Sequence, residues 1–309
     1  MWYILLFLFL LLFALWNITL IGYKERDLTP LESDESQCFC EKAKSIILVQ
    51  HADQAILLIH GFPTTPYLYC YSAPRFFESG MDVYAPLLPG FGTDVKKFEQ
   101  TNFTQWFSYL CSYYEKLRAQ YKTVYVLGTS MGGLMTLKLG ETYCASAQAP
   151  DKLVTIAAPV VYNSIRDRIF TNKQAYFMRT VALFKTSKNP KTICRNPDGE
   201  DGNEDWVGYG GTFYRSGLSL MYAMKEVRKN LPLLTCPLFS IHDINDKTIP
   251  FKNLHIIQKE NKSSCFKSLE TEMGAFNHSR HALLMYHSIQ KELTDTIIEF
   301  LQDKEHHHG

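Results

Sequence analysis

Charge of one sign is what this chain of 309 residues most plainly lacks. Its 32 Lys and Arg are set against 31 Asp and Glu, leaving a formal net charge of +1. That balance gives no sign of a nucleic-acid partner. No internal repeat is present, which argues against a solenoid or propeller. Paired cysteine spacing is missing too. Cys70, Cys111, Cys144, Cys194, Cys236 and Cys265 are scattered, several in apolar stretches, and read as reduced core residues rather than a disulfide framework. Cys38 and Cys40 form a C-x-C with no second cluster to complete a zinc site, so no metal is expected.

The first 21 residues, "MWYILLFLFLLLFALWNITLI", lack any charged side chain and are long enough to cross a bilayer as a helix. They also lack the basic start, short apolar core and small residues of a cleaved signal. Residues 1–22 are therefore expected to be a retained transmembrane anchor, with Trp2, Tyr3, Trp16 and Tyr23 at its ends, where aromatic rings suit the interface. Lys24 and Arg26 follow the span and weakly favour a cytoplasmic location for what comes after. Residues 23–43 are polar and acidic and read as a linker to a domain at 44–303; the tail 304–309, "KEHHHG", is given no role. Three segments, starting at Asn102, Asn261 and Asn277, match the N-glycosylation acceptor pattern.

From residue 45 onward short apolar runs alternate with amphipathic ones. "SIILV" (45–49), "AILLI" (55–59), "MDVYAPLL" (81–88), "TVYVLG" (123–128), "LVTIAAPV" (153–160) and "CPLFSIH" (236–242) read as strands, and a further candidate lies at 268–273. Helical patterns run from Trp106 to Tyr121 and from Gly132 to about Tyr143. Continuous apolar strands separated by helices predict an α/β fold, a mostly parallel sheet with helices on both faces. Between about 161 and 231 the alternation breaks. That stretch is rich in aromatic residues, with a basic part from Arg166 to Arg195 and an acidic, turn-rich part after it. We read it as a helical cap inserted after strand 6, over the carboxyl ends of the strands.

The stretch "VYVLGTSMGG" (124–133) raises the question of chemistry. A serine between Gly128 and Gly132, directly after an apolar strand, fits a sharp strand-to-helix turn that exposes its hydroxyl. Such a serine needs a base, a group to orient that base, and donors for an oxyanion. In chain order Ser, Asp, His, candidates exist for each. "FSIHDINDKTIP" offers Asp243 and Asp246, with Asp246 preferred for its D-x-x-I-P context and longer loop reach. "GAFNHSRHALLMY" offers His278 and His281, with His281 preferred because Ala282-Leu283-Leu284 would hold it against the core. "LLIHGFPTT" supplies a turn at Gly61, from which the Phe62 N–H, with the Met131 N–H, would form the oxyanion hole.

Taken with Trp106 and Ala158-Pro159, the stretches "ILLIHGF" (56–62), "DVYAPLLPGFG" (82–92) and "VLGTSMGGLMTLKLG" (126–140), together with Asp246-x-x-Ile249-Pro250 and Ser279-x-His281, make the chain resemble the α/β-hydrolase superfamily over about residues 44–303. Within it the likeness is to bacterial carboxylesterases and monoacylglycerol lipases. The resemblance implies Ser130 as nucleophile, Asp246 as acid and His281 as base, with no cofactor and an ester or lipid substrate carrying an acyl chain. The turn Gly90-Phe91-Gly92 departs from the Gly-His-Gly of many relatives. A thioesterase, acyltransferase or peptidase would use the same triad, and a catalytically silent, membrane-tethered binding module would lack one member of it. All three candidates are present here.

Overall fold

A computed structural model describes residues 2–25 and 27–303; the tail 304–309 and Arg26 lie outside the described residues. Eleven strands and nine α-helices, counted among those residues, follow the alternation of the sequence. The central sheet takes β1 (Ile46–Leu48), β2 (Gln54–Ile59), β3 (Asp82–Ala85), β4 (Thr123–Thr129), β5 (Lys152–Ile156), β10 (Leu238–Asp243) and β11 (Phe266–Thr271), in the order β1-β3-β2-β4-β5-β10-β11. Only β1 runs antiparallel to its neighbour; the remaining pairs are parallel.

The apolar run of β2 shows why such a sheet needs two covers. Successive side chains point to opposite faces. Leu57 and Ile59 enter one core layer, with Trp106, Leu134 and Val227, while Ile56 and Leu58 enter the other, with Phe76, Ile297 and Leu301. The first layer is covered by α4 (Phe103–Gln120), α5 (Met131–Tyr143), α7 (Tyr214–Asn230) and α8 (Lys252–Glu260), the second by α2 (Ser72–Glu78) and α9 (Gln290–Gln302). Short α3 (Val95–Phe98) places Phe98 in the first layer. Asn102 starts α4 with a reciprocal capping box to Gln105, satisfying helix donors that would otherwise be orphaned.

The insert lies between β5 and β10, the fifth and sixth sheet strands in chain order, so it follows the fifth strand and not the sixth expected from the sequence. It is helical only in part: ribbons β6–β7 (Asn163–Ser164, Ile169–Phe170) and β8–β9 (Ser187–Ile193, Gly208–Phe213) accompany α6 (Met178–Phe184) and α7. The basic stretch 166–195 contains Pro190 and the β-branched Thr192 and Ile193, and its second half pairs as a strand. Many insert aromatics serve packing. Tyr209 and Phe213 join Phe62, Phe91, Phe98 and Trp106 in one ring cluster.

Two further features differ from the sequence expectations. Cys144, at the end of α5, and Cys236, ahead of β10, form a disulfide with Cα atoms 5.5 Å apart, so they are not reduced core thiols. Their separation of 92 residues hid the pairing, because only the sheet brings the two chain ends together. Nor does the polar segment 23–43 hang free. Asn102 Nδ2 donates to Asp27 O at 2.7 Å, Gln105 Nε2 to Thr29 O at 3.0 Å, and Lys42 pairs with Asp205 at 2.8 Å.

The apolar helix α1 (Trp2–Thr19) projects with most of its side chains exposed. Its C-terminal end is gripped by the insert. Arg179 donates to Trp16 O and Ile21 O, each at 2.8 Å, and its guanidinium stands 4.1 Å from the Trp16 ring. The Thr180 hydroxyl donates to Asn17 Oδ1 at 2.9 Å, and Lys225 donates to Ile18 O and Thr19 O. Cations suit this end because the last carbonyls of a helix carry its negative partial charge.

Candidate active site

Ser130 ends β4 and starts α5, with φ 57° and ψ −120°. A non-glycine residue pays steric strain there and needs neighbours that enforce it. The Ser130 N–H donates to Ile156 O at 2.8 Å, and its carbonyl accepts from Leu134 N at 3.0 Å. The flanking glycines are demanded by close approach. A Cβ on Gly132 would lie 1.9 Å from Ile59 O, and one on Gly128 would lie 2.1 Å from Gly132 O. The helix therefore starts hard against the end of β2, bringing the β2 loop beside the serine: a Cβ on Gly61 would stand 3.2 Å from Ser130 Cβ.

That loop is braced from beneath by His60, which is fully buried. Leu88 N donates to His60 Nε2 at 3.1 Å, so the ring proton sits on Nδ1 and is donated to Gly61 O at 3.0 Å. Burial lowers the His60 pKa to about 4, which keeps the ring neutral. From the insert side, Tyr209 N donates to Pro63 O at 2.9 Å and Thr64 Oγ1 donates to Val207 O at 2.8 Å. Phe62 N and Met131 N have no hydrogen-bond acceptor among the described residues.

Of the competing acids and bases, the fold brings Asp246 and His281 together: His281 Nδ1 lies 2.7 Å from Asp246 Oδ2. Asp246 Oδ1 accepts the N–H groups of Thr248 and Ile249, at 2.7 and 3.0 Å. A third contact was not foreseen. His242, buried at the end of β10, places Nε2 3.1 Å from both Asp246 Oδ2 and Ile249 O. A carbonyl can only accept, so Nε2 carries the proton and donates to both. Burial pushes the Asp246 carboxyl upward, but its attraction to the His281 ring in the protonated form and the hydrogen bonds from His242 and His281 outweigh it, holding the group well below its ordinary 3.8. The spacing of four between His242 and Asp246 was visible in the sequence. Without the strand end and loop that fold one onto the other, it carried no signal.

The rejected candidates have structural work. Asp243 is fully buried and accepts from Met273 N at 2.8 Å and Thr271 Oγ1 at 2.9 Å, tying β10 to the chain leaving β11. His278 is stacked 3.9 Å from Tyr286 and 4.8 Å from Phe276, with Nε2 3.6 Å from Asp201. Tyr286 also steadies the histidine loop by accepting from His281 N at 3.2 Å. His281 is left partly open, and its Nε2 has no partner among the described residues. No group of three or more His, Cys, Asp or Glu that could hold a metal ion occurs among the described residues.

Comparison with known proteins agrees with this architecture. The chain is 26% identical over 247 residues to a thermostable monoacylglycerol lipase of Bacillus sp. (strain H-257), covering 79% of this chain and 89% of that one. It is 25% identical over 210 residues to a carboxylesterase of Bacillus subtilis (strain 168), covering 67% and 78%. Among solved structures, the monoacylglycerol lipase of Paleococcus ferrophilus superimposes with a TM-score of 0.66 at 16% identity, covering 83% of this chain and 97% of that one, a likeness of fold. The family model described as serine aminopeptidase, S33, matches residues 50–285, a span that contains Ser130, Asp246 and His281. The chain belongs to that family of α/β-hydrolases and is a serine-hydrolase-type enzyme of the superfamily.

Proposed function

We propose that the protein hydrolyses carboxylic esters of lipid type, monoacylglycerols or their like, through an acyl-serine intermediate. Ser130 Oγ attacks the ester carbonyl while His281 Nε2 takes its proton, and Asp246 fixes the tautomer and steadies the imidazolium that forms. The oxyanion of the tetrahedral intermediate accepts from Phe62 N–H and Met131 N–H, each such donor being worth about 3–4 kcal/mol in the transition state. His281 then protonates the leaving alcohol, and afterwards activates the water that releases the acid. The observation that carries the reading is the 2.7 Å contact of His281 Nδ1 with a carboxylate that two backbone N–H groups and a second histidine also hold. The names of the curated relatives favour an ester, and the family description leaves an aminoacyl amide as the second substrate class to test.

Trp2–Thr19 is the one helix among the described residues that is long and apolar enough to cross a membrane. We read it as an anchor that keeps the enzyme beside its lipid substrate. The Cys144–Cys236 disulfide favours an oxidising compartment for the folded domain and outweighs the bias that Lys24 and Arg26 give towards the cytoplasm. A p-nitrophenyl ester series from acetate to palmitate, run beside a leucyl p-nitroanilide and a Ser130→Ala variant, tests the chemistry. Ester turnover that falls by roughly 10⁴-fold or more in the folded variant is expected. Turnover confined to the anilide would replace ester with amide.

A further inference from the structure

A cavity of about 620 Å³ opens away from the serine, between the exit of α1, the start of α4 and the insert helices α6 and α7. None of Ser130, His281, Phe62 or Met131 lines it. Its wall is divided in chemistry. Trp16, Leu183 and Leu218 give apolar surface, Lys24, Arg179 and Arg215 give positive charge, and Glu25, Asp27 and Glu99 give carboxylates.

The charges in this wall are not paired with one another. Arg179, only 9% exposed, donates to the neutral carbonyls of Trp16 and Ile21, and Arg215 Nε points at Ala182 O at 3.4 Å. Neither arginine forms an ion pair among the described residues. Glu99 is occupied instead by the hydroxyls of Thr186 and Ser187, at 2.7 and 2.5 Å. Withdrawing Arg179 from water without an opposite charge is unfavourable, and helix-end carbonyls offset only part of the loss, while Arg215 stays exposed at the cavity wall. A wall that presents unpaired groups of both signs suits a zwitterion, its anion towards the arginines and its cation towards the carboxylates, and the apolar side calls for carbon attached to it.

Position narrows the choice. The cavity begins where the last turn of α1 ends, and Trp16 stands at the level an interfacial aromatic takes if α1 spans the bilayer. We propose that the cavity binds the headgroup of a membrane phospholipid or lysophospholipid, with the phosphodiester towards Arg179 and Arg215 and the first carbons of the lipid against Trp16, Leu183 and Leu218. This rests on the anchor reading and adds a lipid site distinct from the one at Ser130. The bound lipid bridges α1 and the insert, two elements otherwise joined by the grip of Arg179, Thr180 and Lys225.

The test uses the full chain in a phosphate-free maltoside detergent, titrated with radiolabelled lysophosphatidylcholine, beside Arg179→Gln and Arg215→Gln. Saturable binding of one lipid per chain is expected, weakened about tenfold or more by Arg215→Gln, as losing a charge-assisted contact implies. Turnover of a short soluble ester should stay unchanged in Arg215→Gln, which serves as the fold control because Arg179 also holds α1. Binding that never saturates, or that is equal in Arg215→Gln, overturns the site. Displacement of the lipid by millimolar inorganic phosphate alone assigns the wall to a free anion and also overturns it. Alkaline carbonate extraction of membranes, run in parallel, tests the anchor separately. A chain that washes off refutes the anchor, while saturable, Arg215-dependent binding by that same chain would still uphold the cavity.

Discussion

Asp246 accepts four hydrogen bonds, and each of its partners comes from a different local cause. Thr248 and Ile249 donate because the loop turns tightly after β10, His242 because it closes that strand, and His281 because Tyr286 holds its loop. Replacing Asp246 by Asn should lower kcat by roughly 10⁴-fold with the fold intact, since the amide cannot accept the Nδ1 proton in the same way. Asp243→Asn should do the reverse: the two β11-side donors lose a charged acceptor, at about 1–3 kcal/mol of stability, while the folded fraction keeps its turnover. Kinetics and urea melts of both variants check the pair, and the opposite ranking would transfer the acid role to Asp243. His242→Gln should cost about tenfold in kcat and leave KM unchanged, because the ring touches the carboxylate and not the substrate. A rise in KM alone would mean that His242 shapes the pocket instead.

At the scale of elements, the β4–α5 turn and the β2 loop form one packed unit. Because a Cβ at Gly132 would meet the backbone carbonyl of Ile59, Gly132→Ala should reach or exceed the upper end of the ~1–3 kcal/mol range for overpacking. A wild-type urea midpoint would contradict that packing. His60 gives the same unit a pH signature. Its folded pKa of about 4 lies below its ordinary 6.5, so between those values the unfolded chain takes up a proton that the native state excludes. This contribution, on the order of 3 kcal/mol, is full above pH 6.5 and is lost as pH falls towards 4. Thermal melts from pH 7 to pH 4 should therefore show a steep acid loss that is shallower in His60→Asn. Equal slopes would place the titrating group elsewhere.

Across the whole molecule, the disulfide and the grip on α1 decide how the domain is held. Alkylating the denatured, unreduced protein should modify six of its eight cysteines and spare Cys144 and Cys236. Modification of all eight would return the domain to a reducing compartment. Cys144→Ser should lower stability by about 2–4 kcal/mol, the usual range for a cross-link that closes a long loop. The polar segment 23–43, read as a spacer, instead lies along α4 and the insert, which leaves little slack between α1 and the domain. Its composition could not reveal this. The bonds go largely from its backbone carbonyls to side chains more than seventy residues away.

What the sequence alone determined is what local chemistry dictates. Apolar runs between helical patterns set a parallel sheet with two covers, glycines around Ser130 marked a turn that tolerates no Cβ, and an uncharged start marked an apolar helix. The preference for Asp246 and His281 over their neighbours also came from the sequence, through loop context and the order of the motifs. Only the tertiary structure decided that His242 turns onto Asp246, that Cys144 meets Cys236, and that Arg179 reaches the end of α1. Each of these joins groups through strand order or through the seating of the insert. Such contacts depend on how faces pack, and side-chain periodicity along one element says which face is buried but not what it is buried against.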